Sequence, residues 1–271
     1  MARIRISVLG CGYLGIPLAR KLVLLGFKVY GSTTSKDKLP YLEKEGIKAF
    51  LIECQPQMTG QNLDHFFQSD ILFLNIPFKR NLLNPEFYRK QITSVTRRVD
   101  KSPINFVIFA SSTSVYPDAL KIAKEDVDFL PDNPRAKVLL KIECGLFRNH
   151  HFDTTVLRFA GLYGQERQIG HFLSQENINK KNTPVNLVHV DDCVRVILEV
   201  IRQDKRGEIF NVCSDKHPSR QEFYQRASDK LGLPKSNFPD VKNKAGKIVS
   251  NKKIKKILKF KFKYPDPLKS L

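Results

Sequence analysis

The sequence predicts an α/β fold, a doubly wound parallel sheet with a small C-terminal lobe, and three observations carry that prediction. Short apolar runs rich in β-branched residues alternate with segments of helical period through the first 110 residues. A glycine cluster, Gly10-Cys11-Gly12-Tyr13-Leu14-Gly15, stands between the first such run and the first helical pattern. No internal repeat or low-complexity linker interrupts the 271 residues.

The elements follow in order. Ile4 to Leu9 is a buried strand, and Gly10 follows it at once. Leu14, Leu18, Leu22 and Leu25 recur at close to the 3.6-residue helical period, and Gly26 stops the pattern. Phe27 to Tyr30 is the second strand, Gly46 to Ile52 the third, and Ile71 to Ile76 the fourth, closed by Pro77. Pro85 to Val99 reads as a helix and Ile104 to Ala110 as the fifth strand. The Ser219-x-x-Glu222 pattern is a capping box for a helix that ends at Gly232.

Composition bounds the function. Apolar residues make up 41% of the chain, enough for a substantial core, yet no run approaches the 18 needed to cross a membrane. The N-terminus enters a strand directly, so no secretory signal is expected. Five cysteines (Cys11, Cys54, Cys144, Cys193, Cys213) are scattered without a CxxC pair, which argues against a disulfide framework and suits a reducing cytoplasm. The formal charge of +19 admits two readings, a nucleic-acid partner or simply a basic surface. The second is preferred, and no nucleic-acid partner is expected.

The glycine cluster is a GxGxxG in the setting that dinucleotide binding requires, after a strand and opening a helix. Gly10 permits a tight turn, Gly12 lets the backbone approach a pyrophosphate, and Gly15 lets helix and strand pack closely. The helix N-terminus, with Tyr13 and Leu14 at its start, offers N–H groups to the phosphates. An NAD enzyme of this type carries an acid about 20 residues on, for the ribose 2′-hydroxyl. Here residues 1–36 contain no Asp or Glu, and the second strand runs into Thr33, Thr34, Ser35 and Lys36. Hydroxyls and a Lys receive a 2′-phosphate that a carboxylate would repel, so NADP(H) is expected over NAD(H). The alternative is that Lys36 and Lys38 merely face solvent.

Further stretches extend the pattern. Ser111-Ser112-Thr113-Ser114-Val115-Tyr116 resembles SSxxVY, Leu157-Arg158 to Tyr163-Gly164 resembles LRxxxxYG, Val188-His189-Val190-Asp191-Asp192 resembles HVDD, and Phe210-Asn211-Val212 resembles YNV. Together with Gly246 to Asn251 and Tyr264-Pro265, the set is similar to the extended short-chain dehydrogenase/reductase superfamily, NAD(P)-dependent and epimerase/dehydratase-like, in its atypical YeeZ-like branch. The resemblance implies a Rossmann-type dinucleotide domain over residues 1–164, completed by about 185–213. It also implies a small substrate lobe from 165–184 and 214–271. It adds Pro77 and Ser111 to the cofactor-binding residues Gly10, Gly12, Tyr13, Leu14, Gly15, Thr33, Thr34, Ser35 and Lys36, and it makes Ser112 the candidate catalytic serine.

One departure bears on the chemistry. The superfamily uses a Tyr-x-x-x-Lys pair, in which Tyr is the general acid/base and Lys lowers its pKa. None of the eight tyrosines here has Lys four residues later. Counting back from Glu143, which resembles the family's helix glutamate, the Tyr position falls on Arg135 and the Lys position on Leu139. Lys137 and Lys141 lie nearby without restoring the pair. The expected function is therefore an NADP(H)-binding oxidoreductase or epimerase-like protein acting on an unidentified small molecule. The alternative is a catalytically silent NADP(H)-binding sensor or regulatory protein.

Other residues have architectural readings beside sharper ones. Cys11, beside a helix N-terminus, could be an activated thiol, but its size alone explains it. His189 with Asp191 and Asp192 could suggest a metal; the preferred reading makes either aspartate a helix cap. His150 and His151 follow a helix end, where cations suit the dipole. Residues 241–265 hold ten lysines and no acid, with Ile254, Ile257 and Leu258 at helical spacing. A helix laid down by its apolar face is preferred there to a polyanion-binding patch. Arg167, Gln168 and His171 are candidates to face the substrate.

Overall fold

The computed structural model describes residues 4–79, 83–164, 181–232 and 246–271. Its elements are β1 (Arg5–Leu9), α1 (Gly15–Leu24), β2 (Lys28–Thr33), α2 (Leu39–Lys44), β3 (Lys48–Cys54), β4 (Met58–Gly60), α3 (Leu63–Phe66), β5 (Ile71–Leu74), α4 (Pro85–Val99) and β6 (Phe106–Ser112). They continue with β7 (Ile122–Ala123), α5 (Pro134–Phe147), β8 (Asp153–Phe159), β9 (Gly161–Tyr163), β10 (Leu187–His189), α6 (Val190–Arg202), β11 (Ile209–Val212), α7 (Arg220–Leu231), β12 (Ile248–Val249) and α8 (Lys252–Ile257).

The predicted α/β class is present as an eight-stranded sheet in the order β11-β8-β6-β5-β1-β2-β3-β4, with flanking helices. β1 runs parallel to both β2 and β5, β2 to β3, and β5 to β6; β4 is antiparallel to β3. The chain leaves β1 toward β2 and β3, then returns to place β5 on the other side of β1. The carboxyl ends of β1 and β5 thus flank a reversal of strand order, the position at which open α/β sheets bind ligands.

The chain divides into two compact units. The first comprises Met1–Ser111, Asn133–Leu157 and Val200–Ile209. Its strands read as continuous apolar runs because both sheet faces are covered: Ile6, Val8, Leu72, Phe73, Phe106 and Ile108 have no measurable exposure. α1 buries Leu18, Ala19 and Leu22. α4 and α5 open alike, on Asn84 and Asn133, whose side chains accept from the N–H groups of Glu86 (3.0 Å) and Ala136 (2.9 Å) ahead of a proline in the first turn.

The second unit comprises Ser112–Asp132, Arg158–Glu199 and Phe210–Leu271. It holds two parallel pairs, β9 with β10 and β7 with β12. The Ser219 hydroxyl accepts the Glu222 N–H at 3.1 Å, and Gly232 ends α7 at a φ of 63°, as the capping box predicts. In the lysine-rich segment, Ile254 and Leu258 are buried while Lys252, Lys255 and Lys256 are exposed. Among the described residues no helix is long and apolar enough to cross a membrane.

Several boundaries differ from the sequence reading. The second strand runs on to Thr33 and the third starts at Lys48, because Gly46 sits at a φ of 74° in the turn before it. The fourth strand ends at Leu74, and the fifth covers Phe106–Ser112. Leu25 lies beyond the end of α1 and is exposed, so the apolar stripe of that helix stops at Leu22.

Candidate functional site

The glycine turn after β1 is held by Ser32 of β2 and by Asn75, just past β5. Gly10 adopts a φ of +108°, and a Cβ there would come within 2.5 Å of the Asn75 carbonyl oxygen. Its N–H donates to the Ser32 hydroxyl at 2.9 Å, and the Cys11 N–H donates to the Ser32 carbonyl at 2.8 Å. The Asn75 side-chain amide donates to the Gly10 carbonyl at 3.0 Å. The turn closes through Gly12 N–H to Gly10 O (2.9 Å), and the first helical bond follows from Ile16 N–H to Gly12 O (3.0 Å).

The glycines divide by function. A Cβ on Gly15 would sit 2.2 Å from the Gly10 carbonyl oxygen, so this position is closed by helix–strand contact. A Cβ on Gly12 would meet nothing within 4 Å. The turn is therefore tight where the protein packs on itself and open at its middle glycine. α1 begins there without a side-chain cap and without an acid in its first turn, leaving the positive end of its dipole available to an anion. A pyrophosphate fits this donor set.

Around the turn, Thr33 is buried and its hydroxyl accepts the Ser35 N–H at 3.1 Å; Thr34 is exposed and Ser35 half-buried. Lys36 opens a short 3₁₀ turn in which it, Asp37 and Lys38 are all exposed. Tyr13 is half-buried, Leu14 is buried, and Pro77 is exposed just past β5. Ser111, at the end of β6, is buried with its hydroxyl donated to the Glu143 carboxylate on α5. The sequence reading missed Ser32 and Asn75, both hydrogen-bonded to the turn. Their only signal was position, one near the end of the second strand and one in the last residues of the predicted fourth.

Arg135 and Leu139, the positions reached by counting back from Glu143, both lie on α5. Leu139 is a core residue. Arg135 donates from its two terminal nitrogens to the carbonyls of Phe78 (2.9 Å) and Lys79 (2.8 Å).

In the second unit, three of the separated motifs meet in one buried cluster. The Tyr116 hydroxyl accepts from Arg158 at 2.7 Å and donates to Asn211 Oδ1 at 2.9 Å, and the Asn211 N–H donates to the half-buried Glu125 carboxylate at 2.7 Å. Burial raises the pKa of Tyr116 against the opposing pull of Arg158, and burial likewise raises that of Glu125. With Tyr116, Arg158 and Asn211 all shielded from solvent, this cluster is architecture. The Ser112 hydroxyl accepts the Ser114 N–H at 3.1 Å and caps a short 3₁₀ turn.

The remaining candidates resolve locally. Burial pushes the Cys11 thiol up to about 12, which removes it as a nucleophile. The predicted cap by Asp191 or Asp192 is corrected: α6 begins at Val190, so both aspartates lie inside its first turn, and His189 Nδ1 accepts the Asp191 N–H at 3.2 Å. Asp192 is fully buried and accepts the Lys263 and Tyr264 N–H groups, each at 2.8 Å, pinning the C-terminal segment. Arg167, Gln168 and His171 lie outside the described residues.

Residues 88–213 match the model of the NAD dependent epimerase/dehydratase family. The chain is 32% identical over 267 residues to Protein YeeZ of Escherichia coli strain K12, covering 97% of each. Among solved structures it is similar to a putative NAD-dependent epimerase/dehydratase from Methylobacillus flagellatus, with 22% identity, a TM-score of 0.76, and 99% and 96% of the two chains covered. It is also similar to UDP-glucuronic acid 4-epimerase from Bacillus cereus, solved in complex with NAD, with 18% identity, a TM-score of 0.75, and 98% and 97% covered.

Proposed function

Because the chain belongs to the NAD dependent epimerase/dehydratase family, we propose that it binds a nicotinamide dinucleotide at the Gly10–Gly15 turn and prefers NADP(H) to NAD(H). The observation that carries the reading is the contrast between Gly12, open at its Cβ position, and Gly10 and Gly15, closed by backbone. An uncapped helix N-terminus beside the open glycine receives the pyrophosphate. Thr34, Ser35 and Lys36 receive the ribose 2′-phosphate, with Asp37 the one nearby acid. A bound nicotinamide supplies reversible hydride transfer. The five cysteines are free, which suits a cytoplasmic protein.

The chemistry is an oxidoreductase or epimerase-like reaction on a small molecule recognised through residues 165–184 and 214–271. The second reading, a catalytically silent NADP(H)-binding sensor, is favoured by Arg135 and the buried Leu139, which stand where the family's acid/base pair would be. Calorimetric titration with NADPH and NADH tests the binding reading. NADPH is expected to bind at least about tenfold more tightly, a difference of about 1.4 kcal/mol; equal affinities or a preference for NADH would refute the assignment to NADP(H).

A further inference from the structure

We propose that Arg135 is a positioning residue that clamps the loop after β5 in the conformation that receives the dinucleotide. The inference rests on the cofactor reading above and assigns a new role to the position where a Tyr acid/base would stand.

The loop leaves the carboxyl end of β5 beside β1 and carries Pro77, which has no N–H to anchor it. Three of its carbonyls are held by side chains from helices. The buried Tyr88 of α4 donates its hydroxyl to Ile76 O at 2.9 Å. Arg135 of α5 donates to Phe78 O at 2.9 Å and to Lys79 O at 2.8 Å. Between these two anchors the Phe78 ring forms a stack. Its centroid lies 4.3 Å from that of Tyr88 at an interplanar angle of 9°, and the Arg135 guanidinium carbon sits 3.8 Å from it.

Each feature of this arrangement suits guanidinium chemistry and not acid/base work. The planar fork reaches two adjacent carbonyls at once and stacks on an aromatic face, which a Lys ammonium cannot do together. Its charge persists at every pH the protein meets, so it neither gives nor takes a proton. With Arg135 engaged on the main chain, α5 fixes the β5 loop, where in the family's pattern it would present a phenol.

The test uses the full chain, with Arg135→Ala and Arg135→Lys compared with the unmodified protein. Two readouts are measured: NADPH affinity by fluorescence titration, and the rate of tryptic cleavage after Lys79, followed by mass spectrometry. Arg135→Ala is expected to weaken NADPH by about tenfold and speed that cleavage by a similar factor, on the scale of losing charge-assisted hydrogen bonds. Arg135→Lys is expected to fall between, because an ammonium restores a donor without the fork; it also carries the test should the alanine variant not fold. Unchanged cleavage would overturn the clamp, and faster cleavage with unchanged NADPH affinity would overturn its link to the cofactor. Failure of the unmodified chain to bind either NADPH or NADH would sink the cofactor reading and this role with it. That result is distinguishable from the others, because it appears before any substitution is made.

Discussion

The Ser32 hydroxyl accepts the Gly10 N–H at 2.9 Å while the Ser32 carbonyl accepts the Cys11 N–H at 2.8 Å, so a single buried residue of β2 fixes the entry of the glycine turn. Replacing it by alanine leaves the carbonyl bond in place and strands the Gly10 N–H. Ser32→Ala is expected to cost about 1 kcal/mol in urea unfolding, the scale of one lost hydrogen bond at a half-buried donor, and to weaken NADPH binding as the turn loosens. A variant with unchanged stability and affinity would show that the turn does not depend on this bond.

Much of this architecture was legible in the sequence. The strands of the first unit are buried on both faces, so they stand out as unbroken apolar runs, and Gly10, Gly12 and Gly15 mark the turn because each meets a different steric demand. Side-chain bonds that close distant contacts were not legible. Ser32 and Asn75 carry no periodic signal, and nothing local shows that Arg135 reaches Phe78, 57 residues away in sequence. The HVDD junction misled for a related reason: Asp192 looks like a cap by position, whereas beside the local Arg195 its carboxylate accepts the N–H groups of Lys263 and Tyr264, 71 and 72 residues further along.

Stability should depend on pH through the half-buried His217 and the buried His189. Burial lowers the pKa of His217 against the opposing pulls of the Val185 carbonyl and Asp215, and burial lowers that of His189 against Asp191 and Asp192. Both therefore take up a proton more readily when unfolded than when folded. Their contribution is complete above the ordinary value of about 6.5 and is lost as pH falls below it. Urea unfolding midpoints are expected to be level from about pH 8 to 7 and to decline below about 6.5, with a shallower decline in His217→Gln. A midpoint that rises on acidification through this range would contradict the assignment.

Catalysis is expected to be weak on ordinary superfamily substrates. A positioned general acid/base is worth about 10²–10⁴-fold in rate, and neither Arg135 nor the buried Leu139 can supply one. Incubation with sugar nucleotides and simple carbonyl compounds, following NADPH absorbance, should show little turnover. Where a substrate does turn over, Ser112→Ala should cut its rate while leaving NADPH affinity unchanged. Brisk turnover of a common substrate would mean that another group has replaced the missing pair.

The central claim is that the glycine turn holds the dinucleotide pyrophosphate, and Gly12→Val tests it most directly. A Cβ at Gly12 meets no protein atom within 4 Å, so the substitution should leave the fold intact by circular dichroism. It also places a branched side chain in the space assigned to the phosphates. NADPH titration of the folded variant is expected to show no measurable binding; affinity equal to that of the unmodified protein would contradict the account.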